Sequence, residues 1–141
     1  MDINALVAQE EELRGRLQLF ERQLDMLMGM REDKQRAFAT LEGLKDAEVG
    51  TEVLLPVGGT TFVRASLADN SSVLKGIGAG YAMPRELDAA ITELRAELEV
   101  LDRDVQKTSQ AASELEARHA QLMQVLQGAE AAPMAEEMAN G

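Results

Sequence analysis

Hydrophobic residues in the first third of the chain recur at alternating intervals of three and four positions. Most members of this array are apolar, and the glycines of the segment fall at the outermost position of the repeat. The array consists of Ile3, Leu6, Glu10, Leu13, Leu17, Phe20, Leu24, Leu27, Arg31, Lys34, Phe38 and Leu41. Such a repeat is typical of a helix that pairs with another helix in a coiled coil. We therefore predict an N-terminal coiled-coil helix over residues 1–45.

A second array with the same spacing occupies the last third of the chain. It begins after Pro84, a residue that is tolerated in the first turn of a helix because the N–H groups there have no intrahelical partner. Its members are Leu87, Ile91, Leu94, Leu98, Leu101, Val105, Thr108, Ala112, Leu115, His119, Leu122 and Leu126. The spacing predicts a C-terminal coiled-coil helix over residues 84–127.

The two arrays are equal in length, which favours antiparallel pairing of the two helices within one chain. The repeat alone leaves the register open, since a slip of one heptad preserves the layers of the seam. We expect Leu41 to lie opposite Ile91 and Phe20 opposite Ala112. This register starts both helices from the intervening segment and sets a large side chain against a small one.

Between the arrays the hydrophobic pattern changes to alternation. Two β-prone runs, residues 51–57 and 60–67, flank a pair of glycines, and a second pair of short runs follows. This pattern predicts two β-hairpins within residues 46–83. Pro56 is expected at an edge or a bulge, because proline cannot donate a ladder hydrogen bond. The predicted fold class is α+β, a long antiparallel two-helix coiled coil with two β-hairpins inserted between the helices.

The two hairpins are too small to be stable as isolated sheets. An isolated hairpin is only marginally stable in water, and its unpaired edges tend to pair with other strands. We therefore expect residues 46–83 to act as an oligomerisation segment that equivalent hairpins of other chains complete. The residues predicted to mediate this contact are Val53, Leu55, Val57, Phe62, Val63, Leu67, Val73, Ile77 and Tyr81.

Composition narrows the range of functions. Acidic residues outnumber basic ones by 25 to 14, and the net charge is −11. A surface of this charge repels phosphate backbones and anionic lipid, so neither nucleic acid nor a membrane is an expected partner. The chain has no cysteine and one histidine, His119, and it offers no set of metal ligands and no nucleophile–base pair. We expect no catalytic residue, no metal and no cofactor, and therefore a protein that is not an enzyme.

The two ends of the chain carry further expectations. The N-terminal segment is acidic from its second residue and lacks the apolar run of a signal peptide or membrane anchor, so a cytoplasmic location is expected. Residues 128–141 are rich in alanine and glutamate and are predicted to form a disordered tail.

Two segments resemble the hairpins of alpha-class prefoldin subunits. The first, EVLLPVGGTTFVRASL, has a leucine–proline–glycine step followed by a phenylalanine–valine strand. The second, SVLKGIGAGY, has a glycine-alternating strand that leads into tyrosine. Together with the flanking helices, the resemblance covers roughly residues 3–127. It is fairly specific, since beta-class subunits carry a single hairpin.

The resemblance implies a hexamer of two alpha-class and four beta-class subunits, whose hairpins close into β-barrels between the subunits. This form is archaeal; the alternative is the corresponding eukaryotic subunit, of the subunit 5 class, in a complex of six different chains. Complexes of this family bind unfolded proteins without nucleotide and pass them to a group II chaperonin. Beta-class subunits, unfolded proteins and the chaperonin are therefore the implied partners.

Apolar residues spread beyond the seam at the free ends of both arrays. Exposed apolar surface of this kind marks a site that binds other proteins, and methionine adapts to many partner shapes. We hypothesise a client-binding surface composed of Ile3, Leu6, Val7, Leu122, Met123, Val125 and Leu126. The alternative is that these residues only complete the coiled coil. The chain would then be a scaffolding or oligomerisation module without chaperone activity.

Overall fold

The computed structural model describes residues 2–140, with side chains described through residue 129. Along the chain, two β-hairpins lie between two long helices. The elements are α1 (Ile3–Lys45), β1 (Glu52–Gly58), β2 (Thr61–Ser66), β3 (Ser72–Gly78), β4 (Tyr81–Glu86) and α2 (Leu87–Asn140). The predicted α+β class with two hairpins between the helices is confirmed.

The chain divides into two compact units. One, here called the hairpin unit, comprises residues 30–101 and contains all four strands. The other, here called the helical unit, comprises the residues up to Gly29 together with those from Asp102 onward. Each unit contains a stretch of both helices.

The hairpin unit contains two separate two-stranded antiparallel sheets, β1 with β2 and β3 with β4. Both hairpins turn in the same way, because the register shifts just before Gly58 and just before Gly78. These glycines have φ angles of 103° and 102°, which residues with a side chain rarely adopt. Pro56 immediately precedes the first shift, so its predicted position at an edge or bulge is confirmed.

Pro84 lies in β4, opposite Leu74, and not in the first turn of a helix. The predicted start of the second helix at residue 84 was therefore wrong, and α2 begins at Leu87. Proline is tolerated on an edge strand, and both strands of a two-stranded sheet are edges. The strand accordingly continues through Pro84 to Glu86.

At its other end, α2 extends past residue 127 and continues to Asn140 in the backbone. The side chains from residue 130 onward lie outside the described part. The disorder predicted for residues 128–141 stays a prediction.

Within the hairpin unit the two helices run antiparallel. Lys45 pairs with Asp88 at 3.3 Å, and Lys34 Nζ donates to Glu97 Oε2 at 2.7 Å. These two ion pairs bracket the layer in which Leu41 was expected to face Ile91. The helical residues buried in this unit are Leu87, Ala90, Ile91, Leu98 and Leu101. The contacts therefore agree with the predicted register.

The helical unit shows the same antiparallel order. His119 Nε2 lies 3.0 Å from Glu10 Oε1, and both residues belong to the predicted seam. Phe20 lines a groove with Ala111 and Leu115, on either side of its expected partner Ala112. The buried residues of this unit are Leu6, Leu27, Thr108, Ala112, Leu115 and Leu126, all of them seam positions.

Candidate assembly and client-binding surfaces

The linker between the two hairpins is fastened to the ends of both helices. Asn70 Nδ2 donates to the carbonyl oxygen of Ala47 just after α1, at 2.8 Å, and the N–H of Leu87 at the start of α2 donates to Ser71 O at 2.9 Å. Asp69 accepts hydrogen bonds from the Ser71 hydroxyl at 2.7 Å and from the Ser71 N–H at 2.8 Å. These bonds lower the pKa of Asp69 from 3.8 to about 2. The turn at residues 69–72 thus holds the bases of the hairpins beside the helix ends.

Lys75 joins the second hairpin to α2. Its Nζ donates to Glu93 Oε2 at 2.8 Å and to Glu97 Oε1 at 3.3 Å. Glu97 also accepts from Lys34 on α1, so one cluster of charges connects β3 with both helices. The hydrogen bond to Glu93 raises the pKa of Lys75, and the same bond lowers the pKa of Glu93. The bond from Lys34 lowers the pKa of Glu97. Lys75, Glu93 and Glu97 are therefore charged over the whole neutral range.

Most residues predicted to mediate oligomerisation are exposed in this chain. The exposed ones are Leu55, Val57, Phe62, Val63, Ile77 and Tyr81, whereas Val53, Leu67 and Val73 are half-buried. Large apolar side chains left in water on both hairpins form a surface suited to contact with other proteins. Their role in oligomerisation stays a prediction.

Sequence reasoning missed three exposed apolar residues of the hairpins, Leu54, Leu74 and Met83. Leu74 is 75 % exposed, the largest fraction among the exposed hydrophobic residues of the described part. In β1 the predicted set contains only the alternate residues Val53, Leu55 and Val57, and it therefore leaves out Leu54. The adjacent Leu54 and Leu55 carried the signal that both faces of the first hairpin are apolar, since successive side chains point to opposite faces.

The seven residues predicted to bind clients belong to the helical unit and differ in exposure. Leu6 and Leu126 are buried in the seam, while Leu122 and Met123 are half-buried. The exposed members are Ile3, Val7 and Val125. Three of the seven residues thus present apolar surface to water, and the buried two hold the helices together.

A shallow groove of about 400 Å³ lies between the two helices of the helical unit. Leu13, Leu122 and Val125 supply its apolar lining, and Arg16 and Arg118 lie beside them. The remaining lining residues are Gln9, Glu12 and Gln121. Two of the predicted client-binding residues, Leu122 and Val125, are therefore brought together in one concave surface, whereas Val7 and Met123 are not part of its lining.

Two further properties bear on the kind of site. Among the residues that the structure describes, no group of His, Asp and Glu side chains has the arrangement of a metal site. Over the same residues, neither helix combines the length and apolar character needed to cross a membrane.

Two long helices with two exposed hairpins between them define a class of coiled-coil proteins, and comparison with known proteins identifies the family. The family model for prefoldin subunits matches residues 13–131. The prefoldin subunit alpha of Pyrococcus horikoshii is 30 % identical over 118 residues, which cover 83 % of this chain and 80 % of that protein. The prefoldin subunit alpha of Methanopyrus kandleri is 46 % identical over 67 residues, 45 % of this chain and 43 % of that protein. The chain belongs to the prefoldin subunit family, and the predicted likeness to alpha-class subunits is confirmed.

Solved structures agree with this assignment. A chain of the filamentous PFD from Methanocaldococcus jannaschii, determined by cryo-EM, superimposes with a TM-score of 0.53 at 25 % identity, covering 87 % of this chain and 98 % of that one. The crystal structure of the prefoldin beta subunit from Thermococcus strain KS-1 gives a TM-score of 0.59 at 19 % identity, with 90 % of each chain covered. The second likeness concerns the fold alone.

Proposed function

We propose that this chain is an alpha-class subunit of a nucleotide-independent holdase of the cytoplasm. It assembles through its hairpins with beta-class subunits into a hexamer, binds unfolded proteins at the ends of its helices and delivers them to a group II chaperonin. The observation that carries the proposal is the apolar surface exposed on both hairpins of a chain from the prefoldin subunit family.

Assembly follows from the physical chemistry of the hairpins. Each two-stranded sheet leaves unpaired N–H and C=O groups along its outer edges. Fully burying one Val, Leu, Ile or Phe side chain stabilises a contact by about 1.5–3 kcal/mol. Strands from neighbouring subunits satisfy the backbone groups and bury side chains such as Phe62, Val63 and Ile77 at the same time. The relatives named as subunits support such an assembly.

Client binding uses the exposed residues at the ends of the helices. Ile3, Val7 and Val125 offer little area each, so one subunit binds weakly. Several subunits that engage the same unfolded chain raise the overall affinity through effective concentration. Neither catalysis nor a cofactor is part of this mechanism.

Coexpression tests the assembly step. The full chain is produced with and without a beta-class prefoldin subunit, and the native mass of each product is measured. We expect a six-chain complex only when the beta-class partner is present. A stable monomer in both preparations would contradict the proposed assembly.

The chaperone step is tested on the assembled complex with a chemically denatured client enzyme. Removal of residues 1–9 and 122–141 should abolish suppression of client aggregation while the native mass stays that of a hexamer. The intact complex is the control, and transfer of its client to a group II chaperonin is measured as recovered enzyme activity. Full protection by the truncated complex would contradict the assignment of client binding to the helix ends. No protection by the intact complex would favour a scaffolding module instead.

A further inference from the structure

The basic residues of the two units differ in how many of them form ion pairs. Every lysine and arginine of the hairpin unit has an interaction partner among the described residues. In the helical unit Arg14 pairs with Glu10. The remaining basic residues of the described helical unit form no ion pair there; they are Arg16, Arg22, Arg103, Lys107 and Arg118. All five of these side chains are exposed.

Arg16 and Arg118 are set apart from the other three by their position. Both line the groove of about 400 Å³, and both also line a smaller groove of about 120 Å³. The larger groove has Leu122 and Val125 in its lining, and the smaller one has Phe20. Two arginines, one from each helix, therefore line the same grooves as apolar side chains.

The nearest glutamates along each helix form no ion pair with these two arginines in the described structure. Glu12 precedes Arg16 by four residues and Glu114 precedes Arg118 by four, a spacing at which an acid and a base on a helix attract each other. Both glutamates line the grooves, yet neither forms an ion pair with its arginine in the described structure. A carboxylate added to the groove would therefore meet two cationic side chains that form no ion pair in the described structure.

We propose that Arg16 and Arg118 bind the carboxylate of an aspartate or glutamate that lies within an apolar stretch of an unfolded client. The planar guanidinium group pairs with a carboxylate through two parallel hydrogen bonds, which makes arginine well suited to this contact. The apolar neighbours of the acidic residue pack on Leu13, Leu122 and Val125. This inference rests on the proposed client binding and adds a preference for acidic–apolar segments.

The size of the groove is consistent with a short segment as the ligand. A volume of about 400 Å³ lies at the lower end of the range for ligand pockets, roughly 300–1,000 Å³. It accommodates a few side chains of an extended chain. The preference is therefore expected to be modest for one subunit, and it should weaken as ionic strength rises, because salt screens exposed charges.

The test uses two short fluorescent peptides and the assembled complex. One peptide alternates leucine with aspartate, and its twin has asparagine at every aspartate position. Fluorescence anisotropy gives the Kd of each. For the unaltered complex we expect the aspartate peptide to bind roughly five-fold more tightly than its twin, as for a pair of exposed charge contacts.

The double variant R16Q/R118Q should bind both peptides equally, with the affinity for the asparagine twin unchanged. The matched control R22Q/R103Q removes the same amount of charge from unpaired, exposed arginines that line neither groove, and it should keep the preference. Circular dichroism should show equal helix content in all three proteins.

The outcomes separate the two proposals. If the asparagine twin binds but the unaltered complex shows no preference, the arginine assignment fails and client binding stands. If R22Q/R103Q loses the preference as fully as R16Q/R118Q does, the effect is one of overall charge and the assignment also fails. If neither peptide nor a denatured client binds, the proposed function itself fails.

Discussion

Replacing Val125 with serine and Leu126 with alanine separates client contact from helix pairing, although the two residues are neighbours in the chain. Val125 is 44 % exposed and lines the groove of the helical unit, whereas Leu126 is 7 % exposed and belongs to the seam. V125S should therefore weaken client binding at nearly unchanged stability. L126A should mainly lower the stability of the helix pair against unfolding.

The magnitudes follow from these exposures. Full burial of a valine stabilises a contact by about 1.5–3 kcal/mol, so the remaining exposed part of Val125 can contribute about 1 kcal/mol, equivalent to about a five-fold change in client Kd. Removing most of a buried leucine costs about 2–5 kcal/mol. For Leu126 we expect about 2 kcal/mol, because two helices close around a small cavity more readily than a large core does.

The assay measures both quantities on the assembled complex. Thermal unfolding by circular dichroism reports helix stability, and anisotropy of a labelled unfolded client reports Kd. V100S is the matched control, since Val100 is 47 % exposed but lines none of the grooves described for the helical unit. It should leave both quantities unchanged. A lowered unfolding temperature for V125S together with an unaffected one for L126A would refute this assignment of the two residues.

Two further predictions concern the hairpin unit. K75M should increase amide hydrogen exchange in β3, because Lys75 bonds to Glu93 and Glu97; the control K107M, which removes a cation without an ion pair in the described residues, should not. Since the pKa of Lys75 is raised, its contribution to stability is complete at neutral pH and is lost only as pH rises through that raised pKa. Equal exchange in K75M and the unaltered chain would contradict the contact. The pKa of Asp69 is lowered to about 2, so its stabilisation of the turn is present above pH 4 and disappears as pH falls through about 2. D69N should remove this pH dependence from the hydrogen exchange of the Ser71 amide. An unchanged pH dependence of that exchange in D69N would refute the stabilisation of the turn by Asp69.

Much of the fold follows from local patterns. The spacing of three and four predicts both helices because a residue at that spacing returns to the same face of a helix. The glycines at the hairpin turns predicted the reversal of the chain, and Gly58 and Gly78 do adopt positive φ. Pro84 shows where a local rule misled the prediction. Proline suits both a helix start and an edge strand, and only the pairing of β4 with β3 decided between them.

The candidate surfaces could be predicted only in part. A position in the repeat predicts which way a side chain points, but not how much of it a neighbouring helix covers. Leu6 and Val7 were therefore assigned to one surface, although the first is buried and the second is exposed. The groove with Arg16 and Arg118 was not anticipated, because its lining comes from residues more than a hundred positions apart in the chain.

The sequence by itself determined the two coiled-coil helices, the two hairpins between them and the family to which the chain is similar, because these depend on periodicity, turn residues and short motifs. The tertiary structure decided the strand that contains Pro84, the charge cluster around Lys75 and the apolar groove beside Arg16 and Arg118. Each of these features requires residues distant in sequence to meet at a distance of a few ångströms. Periodicity carries no information on that distance until the register of the helices and strands is known.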